Sequence, residues 1–318
     1  MSVTQLPEPL LVPLGASPVP ARHLRKKRGD GRWAAIIVFP NLAMFTIFII
    51  VPVLGGLYLS FTSWDITNGF PKWIGLANYR QMFHDPLVWQ AAETTLKFIA
   101  FGVVPTVIIS LWLAMLINFR FRFFTVVRSL YLIPAAMSFA ASAVVWRYIF
   151  QDGPGYGILD YVITRFGVTN PPDWLASTTW ALPALDIITI WLSLPIATVL
   201  YLAALQRIPD SVIEASTLDG CGAIRRIRYI IWPGVRYMTP LVAIVALLSF
   251  TNGSFDLVRI LTQGDPINAT QTLIYYIYFE SFDFGAWGYA AALSVLQIAI
   301  IAGILLILRG LSALVNRW

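Results

Sequence analysis

The chain has 318 residues, 58% of them hydrophobic and only 12% charged, and its mean hydropathy is +0.72. A water-facing surface of that size needs more charge, so lipid is the solvent for much of it. The net charge of +6 invites a nucleic-acid reading, but its distribution along the chain fits membrane topology instead. The single cysteine, Cys221, excludes an internal disulfide framework and a Cys-rich metal site. Two histidines, His23 and His84, are too few for a His-based zinc site. No G-x-x-x-x-G-K-[ST] loop is present, so ATP is not bound by that route.

Residues 1–32 are proline-rich and then basic, with Arg22, Arg25, Lys26, Lys27, Arg28 and Arg32. They read as a flexible cytoplasmic tail preceding a membrane domain at 33–318. A cleaved signal peptide fits less well, because the next apolar run is already long enough to span a bilayer. A span needs about 20 apolar residues, and six stretches qualify: Trp33–Leu59, Trp89–Ile117, Phe123–Ile149, Trp180–Leu205, Tyr237–Ile260 and Trp287–Leu308. The predicted fold is therefore all-α, a polytopic membrane protein with about six transmembrane helices. Prolines within these runs are tolerated in membrane helices.

Alternate connections are rich in positive charge. The second–third connection carries Arg120, Arg122 and Arg128, the fourth–fifth carries Arg207, Arg225, Arg226, Arg228 and Arg236, and the C-terminus adds Arg309 and Arg317. These segments share one side with the tail, which places both termini in the cytoplasm. The opposite loops, Asp65–Val88, Gln151–Thr179 and Thr262–Ala286, are aromatic and glycine-rich. Within the second, Gly153-Pro-Gly-Tyr-Gly157 reads as a turn.

Intramembrane polar groups are candidates for a solute path. Trp191, Asn252 and Asp256 combine an aromatic face with amide and carboxylate groups, which suits a sugar. A structural alternative pairs Asp256 with Arg259 at i,i+3 and leaves Asp186 wet near the interface. Glu93 and Lys97, at i,i+4, read as a structural pair.

The connection at 206–235 is the most informative segment. Pro209 halts the incoming helix, Ser211 and Glu214 form an S-x-x-E capping box, and Gly220 and Gly222 break the helix so started. A second piece, Ala223–Ile231, sets Arg225, Arg226 and Arg228 against Ile224, Ile227, Ile230 and Ile231 and ends before Pro233. Taken alone, it could be an amphipathic helix resting on lipid headgroups.

Glu214-Ala215-Ser216, then Gly220, then Ile230 and Pro233 after nine intervening residues, resemble the cytoplasmic signature E-A-A-x-x-x-G…I-x-L-P of ABC importer permeases. Ser216 replaces the second alanine and Trp232 the leucine. Trp73–Tyr79, Phe255–Val258, Leu261–Pro266, Thr272-Leu273 and Tyr275–Phe282 resemble the carbohydrate-uptake branch, in its first permease subunit of maltose or glycerol-3-phosphate type. Gly264-Asp265-Pro266 departs from that branch's usual Gly-Gly-Pro.

The resemblance implies the type I importer permease fold and a location in the bacterial inner membrane. It implies a coupling helix of Ser211, Glu214, Ala215, Ser216, Asp219 and Gly220, with Ile230 and Pro233 behind it. The implied partners are a second permease, two ATPase subunits, an extracytoplasmic solute-binding protein, a small solute and membrane lipid, without nucleic acid. The chain itself is then no enzyme and holds no cofactor or metal, ATP and Mg belonging to the ATPase. The scarcity of outer cations tilts the solute toward a neutral sugar, with glycerol-3-phosphate or a glycerophosphodiester as the alternative. An ion-driven secondary transporter is the competing class; it has no need of a coupling loop, and no inverted repeat is evident.

Overall fold

The computed structural model describes residues 30–65, 69–118, 131–151 and 157–315. The basic tail before residue 30, Arg120, Arg122, Arg128, Arg317 and residues 153–156 of the glycine-proline turn lie outside them. The described residues are helical apart from loops and one isolated antiparallel bridge, Thr62 with Trp73.

The chain divides into two units, 1–53 and 54–318. The first contains α1 (Asp30–Phe45), a π-helical stretch Thr46–Ile50, and the start of α2 (Val51–Leu59). The window Val38–Leu59 has a mean hydropathy of 2.3 with none of it buried. A helix apolar all round matches a lipid environment.

The second unit holds α3 (Ala77–His84), α4 (Pro86–Asn118), α5 (Phe139–Phe150), α6 (Ile158–Arg165), α7 (Ala181–Leu205) and α8 (Asp210–Leu218). A helical stretch then runs from Ala223 to Thr262. It comprises α9 (Ala223–Arg226), a π turn Ile227–Ile231, α10 (Trp232–Val235), a 3-10 turn Arg236–Met238, α11 (Thr239–Leu257) and a second π turn Val258–Thr262. The unit closes with α12 (Leu273–Tyr278), a π turn Phe279–Asp283, and α13 (Trp287–Val315).

Among the described residues, five helices are long and apolar enough to cross a membrane, with a sixth apolar helix of 12 residues, α5. The expected third span, Phe123–Ile149, is therefore not one continuous helix over its described part. Pro134 lies in a 3-10 turn, Met137 is extended, and the Ser138 hydroxyl accepts from the Ala141 N–H at 3.2 Å to open α5. A proline without an N–H followed by a capping serine restarts the helix, and 12 residues rise only about 18 Å.

The expected break before Pro233 is also corrected. The helix passes through it into the fifth span, because the π turn just ahead widens the backbone where the proline ring would meet the carbonyl four residues back.

The core lies where α4 and α7 pack along each other and α11 crosses both. Lipid supplies no hydrophobic drive between helices, so close packing of small residues carries their association. Ala184 and Ala246 are buried there, and Gly102 of α4 takes the Phe250 ring of α11 where a Cβ would stand. Phe98 meets the same ring edge-on at 5.1 Å. Gly253 similarly receives Phe139.

Candidate functional site

At one end of the second unit the 206–235 segment forms a protrusion. Helix α8 begins at Asp210, two residues earlier than a capping box at Ser211 requires. Pro209 is the extended residue before it, and no side chain caps the end. Ser211 falls within the first turn, so the expected Ser211–Glu214 box is not formed. The Asp210 carboxylate instead meets the positive end of the helix dipole.

The far end of α8 closes as a Schellman motif. The Cys221 N–H donates to the Ser216 carbonyl at 2.9 Å, and the Gly220 N–H to the Thr217 carbonyl at 3.1 Å. Gly220 takes φ +72°, a left-handed conformation natural to glycine. Ser216 is buried and donates to the Ile213 carbonyl at 2.7 Å, so serine fits where the related motif has alanine.

Two features of this protrusion escaped the sequence. Arg226, on the returning arm, donates from Nη2 to the Thr217 hydroxyl at 2.9 Å and to the Cys221 carbonyl at 3.4 Å, tying the arms together. Leu218 and Ile224 stand 90% and 83% exposed on either side of the bend. No periodicity links Thr217 with Arg226, and the isoleucine reads equally well as a lipid-facing residue. Behind them, Ile230 lines a groove of about 570 Å3 with Ile208, Pro209, Val212 and Tyr229. Gly234 abuts Ile208, and Val235 is fully buried, so the returning arm is seated on the span bundle.

The other end is held by polar clasps. Asp85 accepts from the Tyr276 and Tyr289 hydroxyls at 3.0 and 2.9 Å, and the Leu273 N–H donates to Thr95 at 2.8 Å. Burial pushes the Glu280 carboxyl above its usual range, with the Tyr276 hydrogen bond opposing and Asp85 adding to the shift.

The three solute candidates from the sequence are not brought together by contacts among the described residues. Trp191 packs edge-on against Trp146 at 5.7 Å, on the border of the core. Asn252 is exposed and Asp256 half-buried on α11. Among the described residues the one ion pair is Lys97–Glu93 at 2.8 Å. Arg259, the suggested partner of Asp256, instead lies 4.9 Å above the Tyr278 ring.

The second unit is thus a bundle of apolar helices with a tied, two-armed protrusion at one end. Residues 106–318 match the model of the family described as the binding-protein-dependent transport system inner membrane component, and the chain belongs to that family. The chain is 31% identical to the sulfoquinovosyl glycerol transport system permease protein of Agrobacterium fabrum over 298 residues, 93% of this chain and 95% of that one. It is 33% identical to the sn-glycerol-3-phosphate transport system permease protein of Escherichia coli over 254 residues, 79% and 84% of the two chains. In fold it is similar to a chain of a bacterial ABC transporter that imports the acidic polysaccharide alginate, with a TM-score of 0.76 at 18% identity, covering 89% of this chain and 96% of that chain. The chain is a multi-pass membrane protein and a transport subunit, with ATP hydrolysis on a separate subunit.

Proposed function

We propose that this chain is one permease of a two-permease ABC importer for a sugar-like solute, and that its 206–235 segment is the coupling element. The observation that carries the reading is the braced elbow: α8 closed by a left-handed glycine, tied by Arg226, and showing Leu218 and Ile224 to solvent. Two exposed apolar side chains at the tip of a stiff polar protrusion suit the apolar groove of a protein partner.

On this reading the elbow end and both termini face the cytoplasm, consistent with the arginines clustered there. Two ATPase subunits, which hold ATP and Mg, take up the elbows of this chain and of an unlike second permease. As the ATPases close, the elbows are drawn together and the permeases turn from inward- to outward-facing. An extracytoplasmic binding protein then delivers the solute at the opposite end. The relatives' named solutes, a sugar-bearing glycerol, a glycerol phosphate and a polysaccharide, support the sugar-like class.

The ion-gradient alternative gives way to the family assignment. The test is co-purification in mild detergent. Wild type should carry an ATPase subunit, and Gly220→Asp should lose it. A Cβ at Gly220 meets no neighbouring atom, but φ +72° strains any side chain there, so Leu218→Asp, at a position 90% exposed, is the companion variant whose loss of ATPase reports on the partner surface without altering the turn. Retention of a full complement of ATPase by the variant would remove the elbow from the coupling role.

A further inference from the structure

At the end opposite the elbow, α4 and α7 flank a cleft of about 720 Å3, within the size range of small-molecule sites. Its lining includes Gln90, Glu93, Lys97 and Phe101 of α4, Thr179, and Asp186 of α7. Asp186 is only 6% exposed, and its Oδ1 is fully buried with no hydrogen-bond partner. A buried carboxyl oxygen left unpaired is costly, and in a native fold it calls for a reason.

Three of the donors around it are committed elsewhere. The Lys97 ammonium is held by Glu93 at 2.8 Å, and the Gln90 amide donates to the Ile267 carbonyl at 3.2 Å. Thr189, one turn along α7, spends its hydroxyl proton on the Leu185 carbonyl at 2.9 Å. The turn that Gln90 holds is strained: Ile267 and Asn268 take φ of +52° and +58°. That conformation is rare for a β-branched residue, and such strain gathers where a loop shapes a site. Ala269, next in this turn, also lines the cleft.

From this arrangement we infer that the cleft is a solute site on the extracytoplasmic side, and that its ligand is a neutral, hydroxyl-rich molecule whose hydroxyls donate to Asp186. Glu93 and Lys97 cancel each other, so the lining has no spare cation for a phosphate or carboxylate. A simple ammonium ligand would meet Lys97. A sugar ring supplies the donors that Asp186 lacks and an apolar face for Phe101, which stands 66% exposed. The inference rests on the importer reading above and narrows its solute class.

The experiment is thermal unfolding of the purified complex of permeases and ATPase, titrated separately with maltose, glucose, glycerol and, as an anion, glycerol-3-phosphate. Ligand that binds the folded state raises Tm with concentration. A neutral probe should stabilise wild type. Asp186→Asn should weaken its apparent affinity about tenfold, the scale of one buried hydrogen bond. Thr179→Trp, which fills the rim, should do the same if Asp186→Asn yields no complex. Equal stabilisation of wild type and both variants overturns the cleft assignment while leaving the importer reading intact. Stabilisation by glycerol-3-phosphate alone, or by no neutral probe, overturns the ligand class. Failure of any ATPase to accompany wild type is a separate result and counts against the importer reading itself.

Discussion

Asn78 shows how a short sequence pattern becomes a joint. Its amide donates to the Ser60 and Thr62 carbonyls at 2.8 and 2.9 Å, and the next residue, Tyr79, shares a 2.7 Å bond with the Ser60 hydroxyl. Asn78 is 6% exposed, so these carbonyls, which end the first span, have no water to fall back on. Asn78→Ala should lower stability by about 1–3 kcal/mol, since the partners are left buried and unsatisfied. Thermal unfolding in detergent checks it, and an unchanged Tm would mean the joint is held elsewhere. The stretch Trp73–Tyr79 was legible as a resemblance, but the asparagine's task was not, because its partners lie 16 and 18 residues back across a loop. The sequence left Asp186 wet near the interface, whereas the structure buries it to 6% exposure. What escaped was the cleft around it, formed by residues that lie almost a hundred positions away on α4.

For whole helices, hydrophobic length was a sound guide where the run was uninterrupted, as in α4, α7 and α13. It failed where backbone chemistry intervened. Pro134 and Ser138 split the third apolar run, whereas Pro233 did not split the fifth, because a π turn made room for it. Proline alone does not decide between these outcomes; the turn geometry around it does. The packing of α4 on α11 was likewise silent in the sequence, where nothing links Gly102 with Phe250, far along the chain on another helix. In the fold Gly102 is the point of closest approach, with the fully buried Phe250 ring set against it. Gly102→Ala should cost about 1–3 kcal/mol as an overpacking change, although alanine is the better helix former. Pairing it with Phe250→Leu should recover part of the loss. A Gly102→Ala protein as stable as wild type would show that the ring can shift aside.

At the scale of the whole molecule, the proposed coupling role requires that a displacement at the elbow reach the spans, which depends on stiffness as much as on contact. The helical stretch from Ala223 to Thr262 supplies the lever. Without a tie to α8, however, its first turn could move independently of the surface proposed to meet the ATPase. Arg226 supplies that tie through Thr217 and Cys221, and its position beside the Schellman turn makes α8 and the lever one body. Arg226→Ala should therefore leave the ATPase bound, since Leu218 and Ile224 remain. It should lower solute uptake per ATP hydrolysed, by about tenfold if one charge-assisted bond governs the loosened state. Arg226→Lys should recover only part, because an ammonium is a more strongly hydrated point charge than the guanidinium whose Nη2 reaches both acceptors. The measurement is uptake and ATP hydrolysis on the same vesicles carrying the whole importer. A fall in both together would place Arg226 in the docking surface. A fall in their ratio is the mark of a strut, and a wild-type ratio in the alanine variant would show that the elbow transmits motion without it.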